Sequence, residues 1–480
     1  MSPLLASFVL FSPEVCLILT GLCSLVLGAW PASRRYCLTI TWAGIAAAAL
    51  IQWRMGGLSL HLTFFDGMLH LDGLAYFAQW LILTTLALTV LMSEGARELD
   101  EAEQGEYYGL LTIASVGLMM FAAANHLLMA VLAMETVSLS SYLLVAYQRR
   151  DPRSAEAGLK YFLFGALASG CMLYGIAWLY GLARTLRLDL LRWSLAAYAG
   201  PGTGLALLIA IVLLLTGLGF KVSMVPFHLW TPDAYEGAPT PVAAFLSVGP
   251  KIAGLAFLMR LFTVALSDVL PIWTGLLTML TVATMTFGNL VALAQTNIKR
   301  LLAYSTIAQV GYLLIGFSVT SQAGGQSVLI YLAAYLVMNL GAFACVVAVS
   351  NLIKSEAITD YRGLAQRAPG LALLFAIFLL SLAGLPPLVG FIGKFMLFGS
   401  AIAAGQWTLA VAGVINSAIA LYYYVFIIRQ MYLEPPAQAA TVSDIAPWPL
   451  RLTLTSTLLG TVLVGLFPSP LLRWALAALR

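Results

Sequence analysis

The chain has 480 residues, of which 61% are hydrophobic and 9% charged, against roughly 25% charged in a soluble domain. At a mean hydropathy of +0.94 the apolar side chains exceed what a globular core can hide, since a compact domain clothes its exterior with polar groups; a soluble enzyme is excluded and lipid is the solvent for most of the chain. The formal charge of +4, from 24 Lys plus Arg against 20 Asp plus Glu, is too small a surplus to point to nucleic acid as partner.

The first apolar stretch, Leu5 to Trp30, has no Lys or Arg before it and outruns the ~7–15 residues of a signal-peptide core, so it reads as the first span. Stretches of about 20 apolar residues between charged or Pro/Gly-rich breaks follow it. They lie near 5–30, 35–53, 71–93, 106–123, 125–147, 156–182, 203–229, 240–266, 270–294, 299–319, 326–353, 370–402, 407–432 and 449–478, which makes fourteen. Helices follow rather than a barrel, whose strands would be about 10 residues long with strict alternation. The expected fold is an all-α polytopic membrane protein. Five scattered cysteines form no C-x-x-C pair and have no histidine at ligand spacing, so no zinc or iron–sulfur site is expected and redox chemistry belongs to another polypeptide.

Lys and Arg are unequal at alternate span ends. One set holds seven, including Arg54, Arg184 and Arg480, and the other fourteen, including Arg34, Arg149, Lys160, Lys299 and Arg300. The positive-inside rule then puts both termini on the outer side.

Three lysines belong to neither face. Lys221 lies in span 7, Lys251 in span 8 and Lys394 in span 12, while Glu135 sits near the middle of span 5. A charge at mid-bilayer costs at least ~2.5–3.5 kcal/mol on insertion scales, so these groups should face protein or water. A static ion pair, Glu135 with Lys221, is the structural reading, but three lysines against one clear carboxylate leave cations over. An ammonium without a counter-ion in low dielectric releases its proton more readily than one in water, which is what a proton relay needs. On this reading the Glu135–Lys221 distance loads or discharges Lys221.

Glycine and proline surround two of these lysines: Gly217, Gly219 and Pro226 in span 7, and Gly384, Pro386, Pro387, Gly390 and Gly393 in span 12. Both spans should therefore be broken. An odd number of crossings separates them, so they run in from opposite sides. An inverted repeat of spans 4–8 against 9–13 is the inference, with ion sites at the interrupted helices. The expected units are residues 1–98, 99–268, 269–434 and 435–480.

His228 is seven residues after Lys221, hence on the same helical face, and suits proton transfer; a helix-end histidine bonded to a loop is the other reading. For His126, at the start of span 5, the helix-end reading is preferred. Lys160 and Lys299 begin spans 6 and 10, where they snorkel to the surface or feed protons inward. Gln309, Asn339 and Asn416 hold a water chain or bond across helices. Glu14 is assigned no role.

The segments GLGFKVSMVPFHLWTPDAYEGAPTPVAAFLSVGPK, LAQTNIKRLLAYSTIAQVGYLLIG and SLAGLPPLVGFIGKF resemble the antiporter-like membrane subunits of respiratory complex I, most closely the N-type subunits of bacterial NADH-quinone oxidoreductase, counterparts of mitochondrial subunit 2. The resemblance implies fourteen helices, two inverted five-helix units and a proton channel through Glu135, Lys221, Lys251 and Lys394, with His228 and Lys160 as further candidates. It also implies no cofactor in this subunit, with quinone, FMN and iron–sulfur clusters in partner subunits. The implied partners are the other complex I membrane subunits, including neighbouring antiporter-like subunits and a lateral helix, in the bacterial inner membrane. The lysine in span 12 suits the N type, whose larger siblings carry a carboxylate there, and no lateral helix is expected after span 14. Pro250 beside Lys251 departs from the family, which more often has a small residue at that place.

Two functions are weighed. One is a proton-pumping module driven by quinone reduction elsewhere in the complex. The other is an antiporter subunit of a multisubunit sodium/proton exchanger, but a sodium site needs oxygen ligands where this chain offers lysines. METVSLSSYLLVAYQRRDPRSAEAGLKYF also resembles the photosynthetic, ferredoxin-dependent counterpart, so NADH or ferredoxin stays open as the electron donor. An inert scaffold is the third reading.

Overall fold

The computed structural model describes residues 3–56, 61–99, 104–198, 204–436 and 446–479. Arg480 of the orientation count, residue 203 of span 7 and residues 437–445 of the expected C-terminal unit lie outside the described residues. The helices are α1 (Pro3–Leu10), α2 (Ser12–Gly28), α3 (Cys37–Met55), α4 (Gly73–Glu94), α5 (Gln104–Ala123), α6 (Leu127–Val145), α7 (Pro152–Ala183), α8 (Leu188–Leu195), α9 (Gly204–Val222) and α10 (Trp230–Gly237). They continue as α11 (Thr240–Arg260), α12 (Leu270–Ala292), α13 (Ile298–Ser318), α14 (Gln322–Ile353), α15 (Leu364–Arg367), α16 (Pro369–Ala383), α17 (Val389–Ala403), α18 (Trp407–Tyr432), α19 (Trp448–Leu466) and α20 (Ser469–Ala477). Strands β1 (Leu62–Phe64) and β2 (Leu69–Leu71) form an antiparallel hairpin with Leu62 opposite Leu71.

Among the described residues twelve helices are long and apolar enough to cross a membrane, thirteen with the bent α1–α2 pair, while α16 and α17 are shorter apolar helices. Every residue of α11 is buried, α13 is nearly so, and α14 is buried through most of its length between exposed or half-buried ends. These three form the interior. Around them stand helices such as α7, α12, α18 and α19, whose outward faces expose Leu167, Met279, Tyr422 and Leu459. An apolar outside around a polar-studded inside is the distribution lipid selects, because backbone groups are satisfied within each helix. Glycines set the closest approach: a Cβ on Gly105 of α5 would fall 2.3 Å from the Gly28 Cα of α2, so only small residues serve there.

Helix starts carry the signals that their sequences announce. Asn297 accepts from the Lys299 and Arg300 amides at 2.8 and 3.2 Å, and Asp151 from Arg153 N at 2.9 Å with Pro152 opening α7. His126 caps α6, its Nδ1 accepting from Leu128 N at 3.2 Å, which fits its helix-end reading.

The structure departs from the sequence expectation in four places. Span 1 is split at Phe11, with α1 and α2 bent by 72°, because Pro13 has no amide hydrogen for the Val9 carbonyl; the Ser12 hydroxyl donates to that oxygen instead, at 2.7 Å. Span 7 stops at Val222, and α10 occupies a stretch read as a connection. Span 14 is interrupted between α19 and α20, where Pro468 and Pro470 cannot continue a helix. The hairpin and α8 were not expected, and both lie on the face that carries the start of α4.

On that face the Arg260 guanidinium, at the end of α11, grips Asp72 with bonds of 2.7 and 2.9 Å and meets His70 Nδ1 at 3.2 Å. Arg260 is 3% exposed. Burial alone would lift the Asp72 carboxyl, but the charge and hydrogen bonds of Arg260 outweigh it and hold the group below the usual carboxylate range. Asp72→Asn strands the arginine and is expected to cost about 3–5 kcal/mol. Since the carboxyl is depressed on folding, the stability it adds is complete above about pH 4, the unfolded value, and is lost as pH falls through its folded value. Thermal unfolding in detergent of parent and variant, as a function of pH, checks both; equal midpoints at neutral pH would refute the assignment.

Candidate functional site

The three interior lysines sit where helices end or lose a backbone donor. Lys221 is in the last turn of α9 and fully buried, where the helix end favours a cation. Its Nζ donates to Ser138 Oγ of α6 at 3.1 Å. Lys251 is buried inside α11, its Nζ donating to Tyr235 Oη at 3.0 Å and to the Leu246 carbonyl at 3.1 Å, 5.2 Å from the Trp230 ring centre. Lys394 of α17, 3% exposed, donates to the Ala383 carbonyl at 3.0 Å and lies 4.5 Å from the Tyr312 ring centre. Ala383 ends α16, and Gly384, in the left-handed region at φ 91°, turns the chain there. Both Lys251 and Lys394 therefore pair a backbone carbonyl with an aromatic face, a combination that solvates a cation in place of water.

No ion pair joins Glu135 to Lys221. The Glu135 carboxylate accepts from Ser169 of α7, one turn of α6 from the Ser138 that takes Lys221. Glu135 is half-buried, between the exposed Leu132 and Leu139. Carboxylate and ammonium are each bonded to a serine instead, Glu135 to Ser169 and Lys221 to Ser138.

His228 is 4% exposed and its Nδ1 is buried without a protein partner, the ring standing edge-on to Phe287 at 4.7 Å. The expected common face with Lys221 does not hold, because α9 ends at Val222 and Ser223 takes φ 67°. Lys160 is half-exposed and bound in an ion network, to Glu156 at 2.8 Å and Asp233 at 3.0 Å; Asp233 takes Arg300 at 2.7 Å, and Arg300 takes Glu236 at 2.8 Å. Burial would raise the Asp233 carboxyl, but bonds from Arg300 and Lys160 keep it below its ordinary range. The sequence reading missed Asp233, Glu236 and Arg300; their spacing in APTP-flanked α10 and at the start of α13 carries no periodic signal. Lys299 is buried against Glu356 at 2.6 Å and the Ala238 carbonyl at 2.9 Å. Beside these groups opens a cavity of about 750 Å³ lined by Glu98, Arg153, Glu236, Lys299, Asn351 and Glu356, among others.

Between Lys251 and Lys394 the buried polar side chains are tied across helices. Asn339 of α14 donates to Ser247 of α11 at 2.5 Å, Tyr335 to Thr306 of α13 at 2.9 Å, and Tyr331 to Gln309, whose Nε2 reaches the Leu382 carbonyl at 3.1 Å. Asn289 of α12 donates to Tyr312 Oη at 3.0 Å and to Asn416 of α18 at 3.1 Å. Gln309, Asn339 and Asn416 thus bond across helices, one of the two readings. Glu14 accepts from Gln79 at 2.8 Å, which accepts in turn from Gln52 at 2.8 Å, apart from this line.

Residues 124–420, which hold every one of these lysines, match the family described as NADH:quinone oxidoreductase/Mrp antiporter, transmembrane. The chain belongs to this family. Among its relatives, NADH-quinone oxidoreductase subunit N of Anaeromyxobacter sp. is 43% identical over 446 residues, 87% of this chain and 85% of that one. NAD(P)H-quinone oxidoreductase subunit 2 of Synechococcus sp. is 41% identical over 475 residues, 96% of this chain and 89% of the relative. A chain of respiratory complex I from Thermus thermophilus with bound aureothin has a TM-score of 0.80 at 32% identity, covering 96% of this chain and 98% of that chain. The family is therefore that of antiporter-like membrane subunits, and the fold is theirs over almost the whole length.

The Lys394 geometry is directly testable. A Cβ at Gly384 would lie 2.8 Å from Lys394 Cδ in a left-handed backbone, whereas one at Gly370 of the same helix meets nothing within 4 Å. Gly384→Ala is expected to cost about 1–2 kcal/mol from backbone conformation alone, and Gly370→Ala to be neutral or stabilising. Thermal unfolding of both variants in detergent checks this, and equal stability would refute it.

Proposed function

We propose that this chain is the N-type, proton-translocating membrane subunit of a bacterial NADH-quinone oxidoreductase, in which quinone reduction in neighbouring subunits drives proton transfer through Glu135, Lys221, Lys251 and Lys394. The observation that carries the reading is three fully or almost fully buried lysines on α9, α11 and α17, each held by hydroxyls, carbonyls or aromatic faces and none by a carboxylate among the described residues. A cation held by neutral dipoles is not locked by a counter-ion, so it gains and loses a proton as its surroundings shift.

In this scheme protons come from the side rich in Lys and Arg, by way of Lys160 and His228, load Lys221, pass through water to Lys251 and reach Lys394. From there they leave outward or move on laterally. Two inverted five-helix units, residues 99–268 and 269–434, frame the path within fourteen crossings, α16 and α17 counting as one; residues 1–98 precede them and 435–480 follow. Both termini face the periplasm and the subunit sits in the inner membrane. It holds no redox cofactor; quinone, FMN and iron–sulfur clusters belong to partner subunits, and its partners are the neighbouring antiporter-like subunits and a lateral helix. The electron donor, NADH or ferredoxin, is chosen at a subunit other than this one. Work is required from that partner, since moving one charge against 100 mV costs about 2.3 kcal/mol.

Proton uptake per quinone reduced, measured in inverted membrane vesicles, tests the reading. Lys221→Ala is expected to lose most proton uptake in an assembled complex. Unchanged uptake would reduce the chain to a scaffold, and a sodium requirement would move it to the exchangers of the same family. Lys394→Ala with normal uptake would remove the terminal step.

A further inference from the structure

Pro250 lies inside α11. A residue with an amide hydrogen at that place would donate to the carbonyl four residues back, that of Leu246. Proline has none. The Leu246 oxygen instead accepts the Lys251 ammonium at 3.1 Å. Side chains on a helix lean toward its N-terminus, so the long lysine stem folds back over the preceding turn to reach it. Tyr235 Oη at 3.0 Å is the other hydrogen-bond acceptor, and the Trp230 and Tyr235 rings stand 5.2 and 5.6 Å from the nitrogen. Lys251 is fully buried, and no carboxylate pairs with it among the described residues. Among the described residues the carbonyl is thus one of two protein oxygens that accept from its ammonium. The same exchange of donors occurs at Pro13, where the Ser12 hydroxyl fills the Val9 carbonyl.

We infer that Pro250 is a positioning residue for proton transfer: by withholding its backbone donor it keeps the Leu246 carbonyl free for Lys251, which fixes where the ammonium sits and how firmly its proton is held. The inference rests on Lys251 carrying a proton, as proposed above. In the charged state both carbonyl and ammonium are satisfied. Loss of the proton weakens that bond, because a neutral amine is a poorer donor than an ammonium, so the proline biases the site toward the protonated form. Among the described residues Tyr235 on α10 bonds it and the charge of Lys221 on α9 acts on it, while Tyr161 on α7 and Tyr335 on α14 act in turn on Tyr235. None of them is a carboxylate able to take over the carbonyl's part.

An alanine at 250 restores the helical bond to Leu246 and makes Lys251 share that oxygen with an amide hydrogen. The test is the pH profile of proton uptake and of quinone reduction in vesicles carrying the assembled complex, with Pro250→Ala, Pro250→Gly, Lys251→Ala and the parent. Both proline replacements supply the same amide hydrogen with very different helix propensities, so an effect of helix stability would separate them. The expected result is that both shift the alkaline limb of proton uptake to lower pH by about one unit, a tenfold change in the ammonium-to-amine ratio, with quinone reduction retained at the acid end. Parent-like profiles in either assembled proline variant, with uptake lost in Lys251→Ala, would overturn the positioning role and leave the carrier reading standing. Full uptake in Lys251→Ala would overturn the carrier reading, and this inference with it.

Discussion

A carbonyl that loses its helical donor inside a bilayer has no water to turn to, and the arrangement of this protein's interior follows from how such carbonyls are refilled. Among them are those of Val9, freed by Pro13, of Leu246, freed by Pro250, and of Ala383, freed by the end of α16 at Gly384. A serine hydroxyl fills the first and lysine ammonium groups the other two. The exchange is mutual. The carbonyl is satisfied without water, and the cation is solvated without a carboxylate. Aromatic faces, Trp230 over Lys251 and Tyr312 over Lys394, complete each shell.

That choice of partner decides what the lysines can do. A buried cation paired with a carboxylate at close range is held charged by a strong, specific attraction, as the Arg260 guanidinium is by Asp72. The interior lysines have dipoles in place of that pairing, and dipoles let go at lower cost. The contrast runs through the whole molecule. Carboxylate pairs gather at the two polar ends, in the Lys160–Asp233–Arg300–Glu236 network and at Arg260–Asp72, where they fix helix termini. Hydroxyls, amides and carbonyls occupy the middle.

The sequence made the lysines legible because a charge in an apolar run is conspicuous, and it made the breaks of spans 7 and 12 legible because Gly and Pro are. It did not reveal the partners. Leu246 and Ala383 offer backbone oxygens, which every residue has, and only the position of Pro250 or the turn at Gly384 shows which are free. Ser138 and Ser169 look like any helix serines until the folded chain places one against Lys221 and the other against Glu135. Charge counting left a static pair there as one reading, since it weighs only sign and number. His228 misled for a related reason: a seven-residue spacing means a shared face only where the helix continues, and α9 stops after Lys221. The short elements α8, α10 and the hairpin escaped because a hydropathy reading of about 20 residues averages over them.

Glu135 stands apart from the lysines in one respect that bears on assembly. Its helix turns an apolar face outward, with Leu128, Leu132, Leu139 and Leu143 all exposed, and the half-buried carboxylate lies along that face. Against lipid tails an ionised group there would cost several kcal/mol, at least about 2.5. The serine bond from α7 offsets only part of such a cost, since a single neutral donor leaves most of the carboxylate's acceptor sites empty. The face is therefore one that protein or water must cover when the carboxylate is charged. An ionised Glu135 is thus accommodated by covering this face, whereas the interior lysines are accommodated by groups of the chain itself.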